Sequence, residues 1–430
     1  MVNPKYHVFV VDSETYPVHT TKGFCGVKNP KGGGRVGLLS DIKTYRKGDF
    51  VIFYQMRVGE SPLNRGFRDV FKIISEPFYD DSTVSSGNNV VLGKCPVCGY
   101  PYSENINKIE GIQYCSNPHN GHEIPQGQHI LPYRVLIEPV MRFDKPVDDN
   151  TAYVDAEDYG ELPTLRWRKV TGAGRARSAQ RILPEEAEKL IRLMKKVNNN
   201  LESENVTTTN YISPSQIGTK LLPSTLQIIR DTSGEKLFSV KRDGRFSGEY
   251  GLETWMLENI DKNISILNEI VGNLNELEFF GNNVQYGVGG ENADILLLHK
   301  RNGKRFKATV MELKKDEIND DTVDQVLNPT KQNYAKWVGQ LVTANVNPPI
   351  TELEIQPVMV GFEVEQGAID RANELERNYQ LFSRETILNY QYRNRPNVRV
   401  KVSKPIFLSY KVVSNTVEFE VIEEAEQRTL

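Results

Sequence analysis

The sequence contains no apolar run long enough to cross a membrane. Its first residues, Met1-Val2-Asn3-Pro4-Lys5-Tyr6-His7, lack the apolar core of a secretory signal. A cytoplasmic protein with no membrane partner is therefore expected. Four cysteines in 430 residues are too few for a disulfide scaffold. A formal net charge of −3 gives no global basic signal. It does not exclude nucleic acid as a partner, because local basic patches do the steering, not the mean charge. With 38% hydrophobic and 9% aromatic residues the composition is that of a globular protein, and the length predicts two or three domains.

Against this plain background one stretch carries chemistry. Ala293 to His299 and Phe306 to Lys314 are apolar runs separated by Arg301-Asn302-Gly303-Lys304. Asn-Gly between two such runs predicts a β-hairpin. A loop of odd length centred on Gly303, or a one-residue bulge, would set Asp294 opposite Glu312. A strict two-residue turn without a bulge would pair Asp294 with Met311 and put Glu312 on the other face. Glu312 and Lys314, two apart on a strand, share a face. Two carboxylates and an ammonium would then meet at one sheet edge. Hard cations such as Mg²⁺ take carboxylate oxygens together with substrate phosphate oxygens, and a lysine nearby can position water.

This stretch resembles the PD-(D/E)XK nuclease motif, here Asp294 followed by Glu312-Leu313-Lys314, and its surroundings resemble the NucS/RecB-type branch. Glu253, in Gly251-Leu252-Glu253-Thr254-Trp255, is similar to the glutamate of that branch's opening helix. Gln325, in Asp324-Gln325-Val326-Leu327, is similar to its glutamine. The resemblance covers roughly residues 248 to 390 and implies a phosphodiester hydrolase. Asp294, Glu312 and the Leu313 carbonyl would bind Mg²⁺ or Mn²⁺. Lys314 would orient water, Glu253 would assist the metal or the water, and Gln325 would hold the scissile phosphate or water. Helix is expected over 249–271, with Leu252, Trp255, Met256 and Ile260 as its core stripe. A second helix would carry Gln325 and continue, shortened or kinked at Pro329, through Lys331, Gln332, Tyr334, Lys336 and Trp337, which could line a phosphate track.

The N-terminal half reads as short strands: 7–11, 50–54, 68–74 and 130–140. A helix follows over 183–197, with Pro184 in its first turn and Lys195-Lys196 in its last. Cys95-Pro96-Val97-Cys98 and Cys115 with His119 or His122 have the composition of a closed structural Zn²⁺ site. Cys25 is left over as a buried or idle thiol. Leu165-Arg166-Trp167-Arg168-Lys169, Arg175, Arg177 and Arg181 form a basic segment with an aromatic inside it.

Residues 1–197 resemble an EVE domain, the PUA-like relative of YTH domains. The similarity lies in His7 to Val11, in Lys47-Gly48-Asp49-Phe50-Val51-Ile52-Phe53-Tyr54, in Arg134-Val135 with Glu138-Pro139-Val140, and in Arg177-Ser178 running into Leu183-Pro184-Glu185-Glu186. The zinc ribbon, residues 90–125, would be an insertion. That resemblance implies recognition of a modified base in DNA, with Tyr54, Phe53 or Trp167 stacking and Arg166, Arg168, Arg175 and Arg177 reaching phosphates.

The expected fold is α+β and multidomain. A PUA-like β-barrel module (1–197) and a connector (198–245) precede an α/β nuclease core of a mixed sheet flanked by helices (246–430). The expected function is modification-dependent cleavage of foreign DNA, with a homodimer plausible for a double-strand cut. A NucS-like repair nuclease for mismatched, branched or single-stranded DNA is the second reading. A non-catalytic nucleic-acid-binding scaffold is the third.

Overall fold

A computed structural model of the chain describes residues 5–12, 15–27, 37–56, 65–79, 83–85, 90–91, 108–109, 112–113, 128–131, 133–154, 162–165, 179–200, 220–221, 240–262, 267, 270–285, 292–330, 334–343, 352–389, 397–414 and 416–423. The chain divides into two compact units. One comprises Pro4–Tyr159 and Leu165–Leu237, and the other Phe238–Leu430 with two short outlying segments. Among the described residues no helix is long and apolar enough to cross a membrane.

The first unit is organised by continuous apolar runs. Strand β1 (Tyr6–Val11) lies parallel to β3 (Phe50–Gln55), and every residue of each after the first is buried. That is the pattern of strands covered on both faces. Helix α1 (Thr15–Lys22) and strand β2 (Phe24–Val27) lie between them in sequence. Strands β4 (Gly66–Ile73), β5 (Phe78–Tyr79), β6 (Tyr133–Met141), β7 (Ala179–Ile182) and β8 (Lys220–Leu221) complete an eight-stranded sheet, in the order β7-β1-β3-β4-β6-β5-β8 with β2 on β6. The N-terminal part of β6 pairs with β2 and β5, and its C-terminal part with β4. That change of partners within one strand curls the sheet into a half-barrel. Phe53 packs on Phe9, Tyr16 and Phe71 at 5.2–5.8 Å between ring centres and forms the core aromatic cluster. Helix α2 (Pro184–Val197) opens on Glu186, whose carboxylate accepts from Leu183 N at 2.7 Å and Leu165 N at 3.1 Å. Cys25 is a buried free thiol.

The second unit is a mixed sheet. Helix α3 (Glu249–Asn259) leads to β9 (Leu277–Gln285), β10 (Asn292–Arg301) and β11 (Lys304–Leu313), an antiparallel series. Helices α4 (Asp320–Leu327) and α5 (Tyr334–Val342) precede β12 (Glu352–Gly361), which runs parallel to β11. Helix α6 (Gln366–Tyr379), β13 (Thr386–Leu388), β14 (Val398–Val402), β15 (Ile406–Val413) and β16 (Thr416–Val421) follow. The order is β9-β10-β11-β12-β14-β13, with β15 joining β12 and β16. Leu252, Met256 and Ile260 are fully buried, and Trp255 stacks on Phe419 at 5.6 Å. The expected 249–271 helix is interrupted: α3 stops at Asn259, and Leu267, Ile270 and Val271 beyond it are helical again.

The hairpin resolves the register question in a specific way. Its turn has two residues, Asn302 (φ 51°) and Gly303 (φ 77°), both left-handed as a mirror-image hairpin turn requires. Arg301 pairs with Lys304 and Lys300 with Arg305, but His299 pairs with Lys307. Phe306 is therefore an extra residue, a bulge, and the Arg301 guanidinium covers its ring at 4.5 Å. Beyond the bulge Ile295 faces Met311. One step further Asp294 faces Glu312, by the bulge and not by a longer loop.

A Cβ at residue 303 would meet no atom within 4 Å, so Gly303→Ala acts only through its left-handed backbone. It should lower unfolding free energy by about 1–2 kcal/mol in urea denaturation. Burial pushes His7 and His299 down to about 4, with Lys307 adding to the effect on His299 and Asp49 opposing it on His7. Unfolded histidine binds a proton near pH 6.5. Stability is therefore full above 6.5 and falls as pH drops toward 4, by up to roughly 3 kcal/mol per histidine. Thermal unfolding of His299→Gln should lose part of that acid slope.

Candidate metal and phosphodiester site

The C-terminal end of β11 presents Glu312 and Lys314, and Lys314 N donates to Val360 O at 2.8 Å, which fixes the chain there. Glu312 is 2% exposed. Its Oε1 accepts from Lys314 Nζ at 2.7 Å and from Gln325 Nε2 at 2.7 Å. Oε2 is buried and accepts no hydrogen bond of normal geometry, although the Tyr334 hydroxyl favours the charged form from nearby. Asp294 Oδ2 accepts from Leu313 N at 2.8 Å. From helix α3, Glu253 is buried, and Glu249 stands one turn before it.

Gln325 reaches the site because α4 is a short, well-capped helix. The Asn319 side chain accepts from Thr322 N at 3.1 Å, and Arg371 from α6 holds Asp324 at 2.8 Å. The helix ends at Leu327 before Pro329, and a separate helix starts at Tyr334. The expected continuation through Pro329 is thus corrected: proline can supply no amide to a helical ladder, so the chain breaks there. Lys331 and Gln332 lie outside the described residues.

The electrostatics are those of crowded anions. Burial pushes Asp294 well above the usual carboxylate range, with Glu312, Glu249 and Glu253 adding to it. Burial also raises Glu312, against the pull of Lys314 and Gln325. Glu249 is raised by burial, and then by Glu312 and Glu253. For Lys314 burial is a downward pull that Glu312 outweighs, so its ammonium is favoured. Among the described residues Lys314, with Lys315 acting on Glu249, faces four carboxyl groups, and a divalent cation would neutralise the anionic charge that remains. The donor set fits a hard cation: carboxylate oxygens, one of them buried without a hydrogen bond. Among the described residues no three or more His, Cys, Asp or Glu side chains form a ready-made cage. Mg²⁺ does not demand one, since it is bound by one or two carboxylates and keeps several waters.

Glu253, Asp294, Glu312, Lys314 and Gln325, chosen from the sequence, thus stand in one linked group with Leu313. Glu249, Asn282 and Asn283 also belong to it and were not anticipated, while Tyr334, expected along a phosphate track, lies beside Glu312. Two signals were available. Glu249 and Glu253 are a like-charged i,i+4 pair, which a solvated face disfavours. Asn282-Asn283 interrupts an apolar strand, where asparagine is uncommon.

The N-terminal candidates fare differently. Tyr54 is fully buried. Its hydroxyl donates to Asp149 Oδ1 at 2.7 Å and accepts from Arg65 Nε at 3.0 Å, and its ring packs on Phe67 at 4.8 Å. Phe53 is equally buried in the core cluster. Both faces of β3 are covered, so neither ring of the pair from which a base-facing residue was expected is open to solvent. Arg181 is buried against Asp49 at 3.4 Å. Trp167, Arg166, Arg168, Arg175 and Arg177 lie outside the described residues, as do Cys95, Cys98, Cys115, His119 and His122.

No family model and no curated protein matches this chain. Solved structures do match over 44% of it. A protein from Pseudomonas putida is 11% identical, one from Pseudomonas syringae 12%, and human THYN1 protein in complex with 5-methylcytosine containing DNA 12%. Each has a TM-score of 0.26, and the match covers 99%, 99% and 98% of those chains respectively. Likeness at this level gives no residue of this chain a role.

If the anionic crowding is a property of the site, Asp294→Asn should stabilise the protein by about 0.5–2 kcal/mol at neutral pH. The gain should fade in acid, where the carboxyl group of the unsubstituted protein is protonated. Calorimetric melting at pH 7.5 and pH 4.5 checks this, and a lower melting temperature for Asp294→Asn at pH 7.5 contradicts it.

Proposed function

We propose that this chain is a metal-dependent DNA endonuclease that hydrolyses phosphodiester bonds with its C-terminal unit and reads a modified base with its N-terminal unit. One observation carries the nuclease part. The Phe306 bulge turns Asp294 and Glu312 toward each other, and Lys314 and Gln325 both bond Glu312. The base-reading part rests on the sequence resemblance to EVE domains, and modification-dependent restriction rests on the two combined.

Asp294, Glu312 and the Leu313 carbonyl would hold Mg²⁺ or Mn²⁺, which when bound supplies Lewis-acid stabilisation of charge on phosphate oxygen. The protein groups do the rest. Lys314, kept as an ammonium by Glu312, orients an attacking water and offsets charge developing on phosphorus. Gln325, now spending its amide on Glu312, has its carboxamide oxygen available to align that water. Glu253 takes a proton or a second water contact. Zn²⁺ at Cys95, Cys98, Cys115 and His119 or His122 would have a structural role only.

The test is cleavage of matched DNAs carrying cytosine, methylcytosine, hydroxymethylcytosine or glucosylated cytosine, with Mg²⁺ or Mn²⁺, beside Glu312→Ala. Cutting confined to a modified substrate and reduced at least ~10³-fold by Glu312→Ala is expected, the loss being that of a main charge-stabilising group. Cutting of branched or mismatched DNA irrespective of modification would make it a repair enzyme. Binding without any cutting would make it a scaffold.

A further inference from the structure

Asn282 and Asn283 are consecutive residues of β9, and consecutive strand residues send their side chains to opposite faces. Here they do not. Asn282 Nδ2 donates to Glu253 Oε1 at 2.6 Å, and Asn283 Nδ2 donates to the same oxygen at 3.1 Å. The backbone shows how. Asn283 has φ 48°, a left-handed conformation in the interior of a strand. Asparagine is among the few residues with a side chain that tolerate it. The register with β10 is unbroken across this point, with Asn282 across from Ile295 and Val284 across from Ala293, and it shifts only earlier, between Leu277 and Phe279. Asn283 therefore stands in the slot opposite Asp294. The kink costs a favourable strand conformation at the edge of the carboxylate cluster, and such local strain concentrates at functional sites.

We propose that the Asn282-Asn283 pair, turned to one face by the left-handed Asn283, is a positioning device for Glu253 and sets how the carboxylate cluster takes a divalent cation. This rests on the nuclease reading of the same site. Two amide donors on one oxygen fix the Glu253 rotamer, and they keep that oxygen from the cation. Glu253 stands close enough to Asp294 for its charge to act on that carboxyl group. Neither asparagine touches the reacting atoms; both act through Glu253. Supporting partners of this kind alter metal affinity by ~10–100-fold when removed.

Asn283→Gly tests this cleanly, because glycine keeps the left-handed backbone and removes only the amide. Mn²⁺ binding is measured by calorimetry without DNA on the wild type, Asn283→Gly, Glu253→Gln and the double variant. The expected result is a ~10-fold weaker Kd for Asn283→Gly, and no further weakening when Glu253→Gln is already present. An equal loss in both backgrounds overturns the proposal, since Asn283 would then act independently of Glu253. No loss in either, or no Mn²⁺ binding by the wild type, also overturns it. Parallel cleavage assays keep the two ideas separate. DNA cutting with a flat binding cycle removes only the positioning role, and an intact cycle without cutting removes only the nuclease reading. Asn283→Ala, which loses amide and backbone preference together, should be the weakest binder of the single asparagine variants.

Discussion

The opposition of Asp294 and Glu312 is the constraint on which the C-terminal unit turns. Two carboxyl groups facing each other at a buried strand end repel, and burial denies them the water that would screen the repulsion. A sequence that retains such a pair accepts a cost in stability. The rest of the site is arranged to limit that cost without removing it. Lys314 and Gln325 neutralise one oxygen of Glu312, the Leu313 amide holds one oxygen of Asp294, and two asparagines hold one oxygen of Glu253. Asp294, Glu253 and Glu312 thus each have an oxygen held by a donor of the protein. Glu312 Oε2 remains buried without a hydrogen bond. Hydrogen bonding on one side, with negative charge gathered on the other, suits a cation better than it suits a static salt bridge.

The apposition exists because of one extra residue. An Asn-Gly turn alone would have turned Glu312 to the opposite face, and the Phe306 bulge restores it. Bulges re-aim side chains next to functional sites, and here the bulge sits near the turn end of the hairpin, far along the strands from the pair it sets. The same logic recurs in β9, where Asn283 re-aims a side chain by a left-handed backbone instead of an added residue. Strands β9 and β11, on either side of β10, both depart from regular geometry, and the Asn283 and Phe306 departures bring polar groups toward one end of the sheet.

Much of this was legible in the sequence because the signals were chemical. Asn302-Gly303 announced the turn, the apolar runs announced the strands, and five polar residues in a recognisable order announced the site. The choice between a longer loop and a bulge was not legible, since Phe306 continues the apolar pattern whichever way it pairs. The interruption after Asn259 was not legible, because Leu267, Ile270 and Val271 keep the apolar spacing and are themselves helical. The burial of Tyr54 was not legible for a related reason. An aromatic at the end of an apolar strand looks the same whether its hydroxyl meets water or, as here, Asp149 and Arg65. Glu249 and the two asparagines went unnoticed because their roles come from long-range partners, which spacing along the chain does not reveal.

The central claim is that Asp294 and Glu312 jointly hold a divalent cation. The most direct measurement is a crystal structure with Mn²⁺, located by anomalous scattering. A peak within about 2.0–2.3 Å of a carboxylate oxygen of both Asp294 and Glu312 is the predicted result, the distance being that of a hard cation on oxygen. A Mn²⁺ peak elsewhere, with Asp294 and Glu312 bridged only by protein donors, would contradict the account.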